Sequence, residues 1–205
     1  MKRIYSIAIV LLGFIVTSCG TDYGFIDTGL SKTHEEKTMY EYFQTDSYNW
    51  SLVKQMVDRA GLKSMFNGEE SDYKEIMFLG PVDNTIRRWM WDHEYREVEE
   101  IDAALCRKVI LRYVFNKVYE REDVPEKTSE TGDGGVNLVA AANNPVWFYS
   151  VKTPFQDNPN VMITSLELVM KDNGQKAYIA SSGIKVKNGM LHSLDDSHKI
   201  GTDIN

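Results

Sequence analysis

Four histidines, His34, His93, His192 and His198, are the chain's natural metal ligands and general bases. None stands four residues from another, and none neighbours a cysteine. His192 with Asp195, Asp196 and His198 is the nearest approach to a ligand set. A strand end sends alternate residues to opposite faces, so these side chains diverge and no metal site is expected. Gly132-Asp133-Gly134-Gly135 lacks both the Lys-Ser/Thr pair and the following helix of a phosphate loop, so no nucleotide cofactor is expected. Adjacent acids such as Glu99-Glu100 and Asp195-Asp196 point apart rather than converging on a substrate. Neither a Gly-x-Ser-x-Gly elbow nor a His-Glu-x-x-His zinc motif occurs. Cys106, on an apolar helical pattern, reads as a small buried hydrophobe with no catalytic thiol's positive field. These residues predict a protein that is not an enzyme and needs no cofactor.

One pair of side chains points to binding instead. Along Asp83–His93, at 100° per residue, Ile86, Trp89, Met90 and His93 share one helical face. Trp91 lies outside it, and Arg87, four residues earlier, is placed to stack on the indole. Such a tryptophan is either a contact for a partner protein or a sugar ring, or it is covered by another element such as the long loop.

Positioning this helix requires a folded domain, and the N-terminus says where that domain resides. Lys2-Arg3, the apolar run 4–16 and Val16-Thr17-Ser18-Cys19 have the layout of a cleaved leader. Thirteen apolar residues reach about 20 Å as a helix, short of the roughly 30 Å a membrane span needs. The last four residues resemble the lipobox of bacterial lipoproteins, which implies leader removal after residue 18 and acylation of Cys19. Each acyl CH₂ buried contributes about 0.8 kcal/mol to anchoring. Residues 19–37 then form a lipidated tether spanning about 23 Å. The protein is expected in the cell envelope, held by lipid at the outer membrane.

From Thr38 to residue 198 the pattern is that of one α+β domain, with 199–205 as a tail. Helical stripes run over Met39, Tyr42 and Phe43, over Leu52 to Ala60, and over Asp83 to His93. Asp46, Ser47 or Asn49 suits a cap of the second, and Gly61 its end. A long helix is expected to carry Ile101, Leu105, Cys106, Val109, Ile110, Tyr113 and Val114. Ile76 to Leu79 reads as a buried strand ending at Gly80-Pro81, with Asp83 as the N-cap of the next helix. Residues 119–135 read as an exposed loop. Strands follow at 146–149, 161–170, 177–180, 183–187 and 190–194, the last two joined by Asn188-Gly189 in a type I′ turn. Helices first and strands last make a helical layer on a mixed or antiparallel sheet.

Several of these strings, taken in order, resemble the fasciclin domain, an extracellular adhesion module. Ile184 to Asp195, with Asn188, Gly189 and His192, follows that family's C-terminal hairpin except that Ser193 replaces an aliphatic residue. Leu79-Gly80-Pro81-Val82-Asp83 is similar to its strand, Pro81, then Asp83 opening a helix. Arg59-Ala60-Gly61-Leu62 looks like its Ala-Gly-Leu signature. Its Tyr-His pair is matched only at Tyr113, because Val114 stands where the histidine would be. The resemblance covers roughly residues 38–195, with 119–135 and 152–160 as extra length. It implies a single domain whose sheet forms a wedge under the N-terminal helices, with His192 hydrogen-bonded to hairpin backbone.

Composition narrows the partner. Hydrophobic residues make up 42% and charged residues 26%, ordinary globular values. Without the leader, 21 basic side chains face 30 acidic ones. That acidity repels phosphate backbones, so nucleic acid is no partner. The sequence therefore predicts a lipid-anchored envelope module that binds a protein or glycan. The rival is a structural accessory lipoprotein of an outer-membrane nutrient-uptake assembly.

Overall fold

A computed structural model describes residues 35–201 apart from 131 and 157, so Cys19, His34 and the leader lie outside the described residues. Helices α1 (Met39–Phe43), α2 (Ser47–Arg59) and α3 (Lys63–Phe66) come first, followed by β1 (Ile76–Gly80) and α4 (Asp83–Asp92). Next come α5 (Ala103–Leu111) and β2 (Val114–Phe115). The chain ends with β3 (Val136–Val139), β4 (Pro145–Phe155), β5 (Asn158–Met170), β6 (Gln175–Val186) and β7 (Gly189–Leu194). The strands form one seven-stranded sheet in the order β2-β1-β7-β6-β5-β4-β3. Only β1 and β7 run parallel, so the sheet is mixed and the class is α+β. Among the described residues no helix is long and apolar enough to cross a membrane.

Local chemistry explains the helix ends. Thr38 and Glu41 close a reciprocal capping box on α1. Asp46 caps α2 by accepting from the Asn49 amide. At its other end Gly61 takes φ 66°, while the Leu62 and Gly61 amides return to the Val57 and Asp58 carbonyls. That pair of bonds is a Schellman motif, which a glycine makes without strain. Phe43, Trp50, Phe66 and Phe78 then stack between α1, α2, α3 and β1, with ring centroids 5.3–6.4 Å apart.

The structure corrects several expectations. Asp83 is not an N-cap: Val82 holds that position, and Asp83 is the first helical residue, buried. Its carboxylate instead accepts from the Leu52 and Val53 amides of α2 at 2.9–3.2 Å. The helix α5 starts after Asp102, which caps it, and stops at Leu111. Tyr113 and Val114 leave it because the chain must turn to pair β2 with β1, where Val114 opposes Phe78. The 119–135 segment is not simply exposed. Val124 is buried, Gly134 accepts from the Trp147 indole at 2.9 Å, and the Lys127 ammonium sits over Tyr149. Two outward-facing aromatics of β4 required a cover, and this segment supplies it.

The expected strands 177–180 and 183–187 merge into one, β6, which stops at Val186, and 152–160 is the tip of the long β4–β5 hairpin. Residues 35–37 already belong to the domain, since Glu35 and Lys187 exchange backbone bonds with Lys185 and Lys37. At the other end Ile200 is buried.

The final hairpin also departs from expectation. Val186 pairs with Gly189, so the two loop residues are Lys187 and Asn188, and neither has a positive φ. The turn is therefore not type I′, which needs positive φ at both. Gly189 is required for a different reason: at φ 138°, a Cβ there would lie 1.8 Å from the Ile76 carbonyl oxygen of the parallel strand. Asn188 is buried, and its side chain accepts from the Met39 amide at 2.7 Å and donates to the Phe66 carbonyl at 3.0 Å. Gly189→Ala should therefore destabilise the domain by more than about 2 kcal/mol in urea unfolding, as forced backbone displacement does. A loss of under about 0.5 kcal/mol would contradict the close approach.

Candidate functional site

The helix α4 is fixed in rotation from both sides. Its inner face buries Ile86, Trp89 and Met90, and Asp83 ties its first turn to α2. Burial holds the Asp83 carboxyl above its usual range, although the backbone donors of α2 oppose that shift. Asn84, Arg87, Arg88 and Trp91, spaced i, i+3, i+4 and i+7, are thereby turned to solvent. Trp91 is 82% exposed, whereas Trp50, Trp89 and Trp147 are buried.

The end of α4 shapes what surrounds the indole. Tyr95 and Glu94 amides bond back to the Met90 and Trp91 carbonyls, and Glu94 takes φ 62°. This Schellman stop is made without glycine, at some cost in backbone strain. His93 Nδ1 donates to the Trp89 carbonyl, 2.8 Å away, and its ring stacks parallel to Tyr95. Two grooves adjoin Trp91, which lines both. The smaller, about 350 Å³, is lined by Asn84, Arg87, Arg88, Trp91 and Asp92. The larger, about 780 Å³, is lined by Leu52, Arg87, Met90, Trp91, Glu94, Tyr95 and Arg96.

The expected Arg87–Trp91 stack is not formed. Arg87 donates to the Asn84 side chain at 3.0 Å, an acceptor one turn back that competes for the same guanidinium. The two residues still line both grooves together. Nor does the long loop cover the indole, since its residues are engaged on Trp147 and Tyr149. Arg88, Arg96, Asp92 and Glu94 were not anticipated as groove residues. The polar i, i+3, i+4, i+7 stripe was the available signal for Arg88, but Arg96 and Glu94 depend on the stop after His93.

The remaining candidates are built into the fold. His192 is fully buried: the Gly183 amide donates to Nδ1 at 3.3 Å, and Nε2 donates to the Tyr119 carbonyl at 3.2 Å. Both ring nitrogens thus serve the backbone. His198 lies elsewhere, with Nε2 2.8 Å from the Tyr113 hydroxyl, so a histidine 85 residues away partners the tyrosine whose sequence neighbour is Val114. The Asp195 carboxylate accepts from the Ser197 amide. His192, Asp195 and His198 are thus engaged with different partners, and no metal-holding group of three occurs among the described residues. Cys106 is buried, which pushes its thiol up to about 11.

Against known proteins, the chain matches no family model and no curated protein. Among solved structures it is similar to a FAS1 domain pair from the insect cell adhesion molecule Fasciclin I, at 9% identity and a TM-score of 0.40. The match covers 80% of this chain and 45% of that one, so the chain spans less than half the length of the solved protein.

The buried histidines set a pH dependence. Burial is the first cause that lowers both His192 and His198 to about 4, with Arg112 and Arg88 adding to it at His198. The unfolded chain takes up these protons near pH 6.5 while the folded one refuses them. Stability is therefore complete above about pH 6.5 and lost as pH falls toward 4. Urea unfolding should show a loss of about 2 kcal/mol per histidine between pH 7 and 5, and His198→Gln should roughly halve that slope. A flat profile over this window would contradict the buried neutral pair.

Proposed function

We propose that this protein is a lipid-anchored cell-envelope adhesion module, held by Cys19, that binds a protein or glycan partner on the outer stripe of α4. It performs no chemistry on that partner. The observation that carries the reading is Trp91: an indole left 82% exposed beside two grooves, on a helix whose rotation is fixed by buried contacts. A large aromatic kept in water on a rigid element contributes nothing to the core, and such residues dominate binding surfaces. The ordered resemblance of the Ile184–Asp195 hairpin and the Leu79–Asp83 corner to the fasciclin domain supports the same reading.

The test is recovery of partners from native envelopes by the full, acylated chain. Trp91→Ala should lower recovery at least about tenfold while changing stability by under roughly 1 kcal/mol. Trp89→Ala, by contrast, should cost about 3–5 kcal/mol because that ring is buried. Cys19→Ala should lose metabolic fatty-acid label and membrane attachment. Undiminished capture by Trp91→Ala would place the function elsewhere, and retained label in Cys19→Ala would remove the anchor.

A further inference from the structure

The grooves beside Trp91 hold charges of both signs that do not pair with each other. Arg87, Arg88 and Arg96 contribute three guanidiniums, and Asp92 and Glu94 two carboxylates, within a few residues of one another. None of the five forms an ion pair among the described residues. Arg87 bonds to the neutral Asn84 amide, and Arg88 donates to the His198 carbonyl at 3.2 Å. Glu100, four residues beyond Arg96, accepts from the Arg96 backbone amide.

This arrangement discriminates among ligand chemistries. A polyanion would gain from three arginines but would meet Asp92 in one groove and Glu94 in the other. A polycation would meet the arginines. A polyol fits both, because each hydroxyl donates to a carboxylate and accepts from a guanidinium or an amide. The indole adds the third requirement, since its electron-rich face attracts the C–H groups on the apolar side of a sugar ring. Grooves of about 350 and 780 Å³, within the range of small-ligand sites, share Arg87 and Trp91 in their linings, so a chain occupying both would pass the indole.

We infer that the outer stripe of α4 is a binding site for a neutral oligosaccharide, with one pyranose stacked on Trp91 and its neighbours hydrogen-bonded in the two grooves. This deepens the proposed function by choosing the glycan over the protein partner, and it rests on that reading. Asp92 and Glu94 act as acceptors for hydroxyl groups, and Arg87 and Arg88 as donors.

Calorimetric titration of the full chain with neutral glucan, mannan and galactan hexasaccharides tests it, with oligogalacturonate and chitosan hexamers alongside. At least one neutral hexasaccharide should bind saturably below about 1 mM. Its affinity should change by less than about twofold between 0.05 and 0.5 M salt, because no net charge is being screened. Trp91→Ala should weaken it at least roughly tenfold, and Trp91→Phe should recover part of the loss. Asp92→Asn should weaken it while leaving unfolding unchanged. Binding confined to the acidic or the cationic hexamer, with steep salt dependence, would overturn the neutral-glycan assignment. So would no sugar binding at about 10 mM. If Trp91→Ala nevertheless loses an envelope protein in capture from native membranes, the adhesion reading stands and the glycan inference alone fails.

Discussion

The close contact of Gly189 with Ile76 is the constraint from which the rest of this domain follows. It seats the last strand parallel against the first, joining residues more than a hundred positions apart, and only a residue without a Cβ permits the approach. Asn188, one position earlier, turns the same contact into a clamp. Its amide takes the first free N–H of α1 and the last carbonyl of α3, so the helical layer and the sheet share a single buried side chain. A buried amide with both ends satisfied stabilises modestly, but leaving either partner unpaired is costly.

The exposed stripe of α4 is a consequence of that seating. With β1 held against β7, the chain leaves the sheet at Gly80, where a Cβ would collide with the Phe78 and Trp50 rings. Pro81 and Val82 carry it straight into α4, and Asp83 reaches across to the amides of α2. A helix fixed at its first turn and along its inner face has no freedom to roll. Trp91 is therefore in water because Trp89 and Met90 are not, and the same geometry sets Arg87 and Arg88 beside it. The groove wall contributed by Glu94 and Tyr95 depends in turn on the left-handed Glu94 that ends the helix.

Much of this was legible in the residues. Periodicity located α2 and α4, Gly61 marked a true helix end, and the run Ile76 to Leu79 was a buried strand. The helical wheel alone put Trp91 outside the core. What was illegible depended on long-range partners. The pattern over Ile101 to Val114 is helical throughout, and only pairing with β1 draws Tyr113 and Val114 out of it. Asn-Gly favours a type I′ turn locally, but the parallel neighbour sets the register and moves the loop one residue earlier. Asp83 has the sequence context of a cap, and its true partners lie thirty residues upstream. Residues 152–160 read as extra length, yet they complete the tip of the β4–β5 hairpin, whose existence depends on cross-strand pairing such as Thr153 with Ile163 and not on a buried apolar pattern.

Because Trp91 is the one exposed indole of the four tryptophans, acrylamide quenching of intrinsic fluorescence reads the α4 stripe directly. The free protein should show a strongly quenched component that disappears in Trp91→Phe, and bound partner should shield that component to the level of the variant. Quenching of Trp91 that stays unchanged when the partner is bound would contradict the account, because the partner would then be held somewhere else.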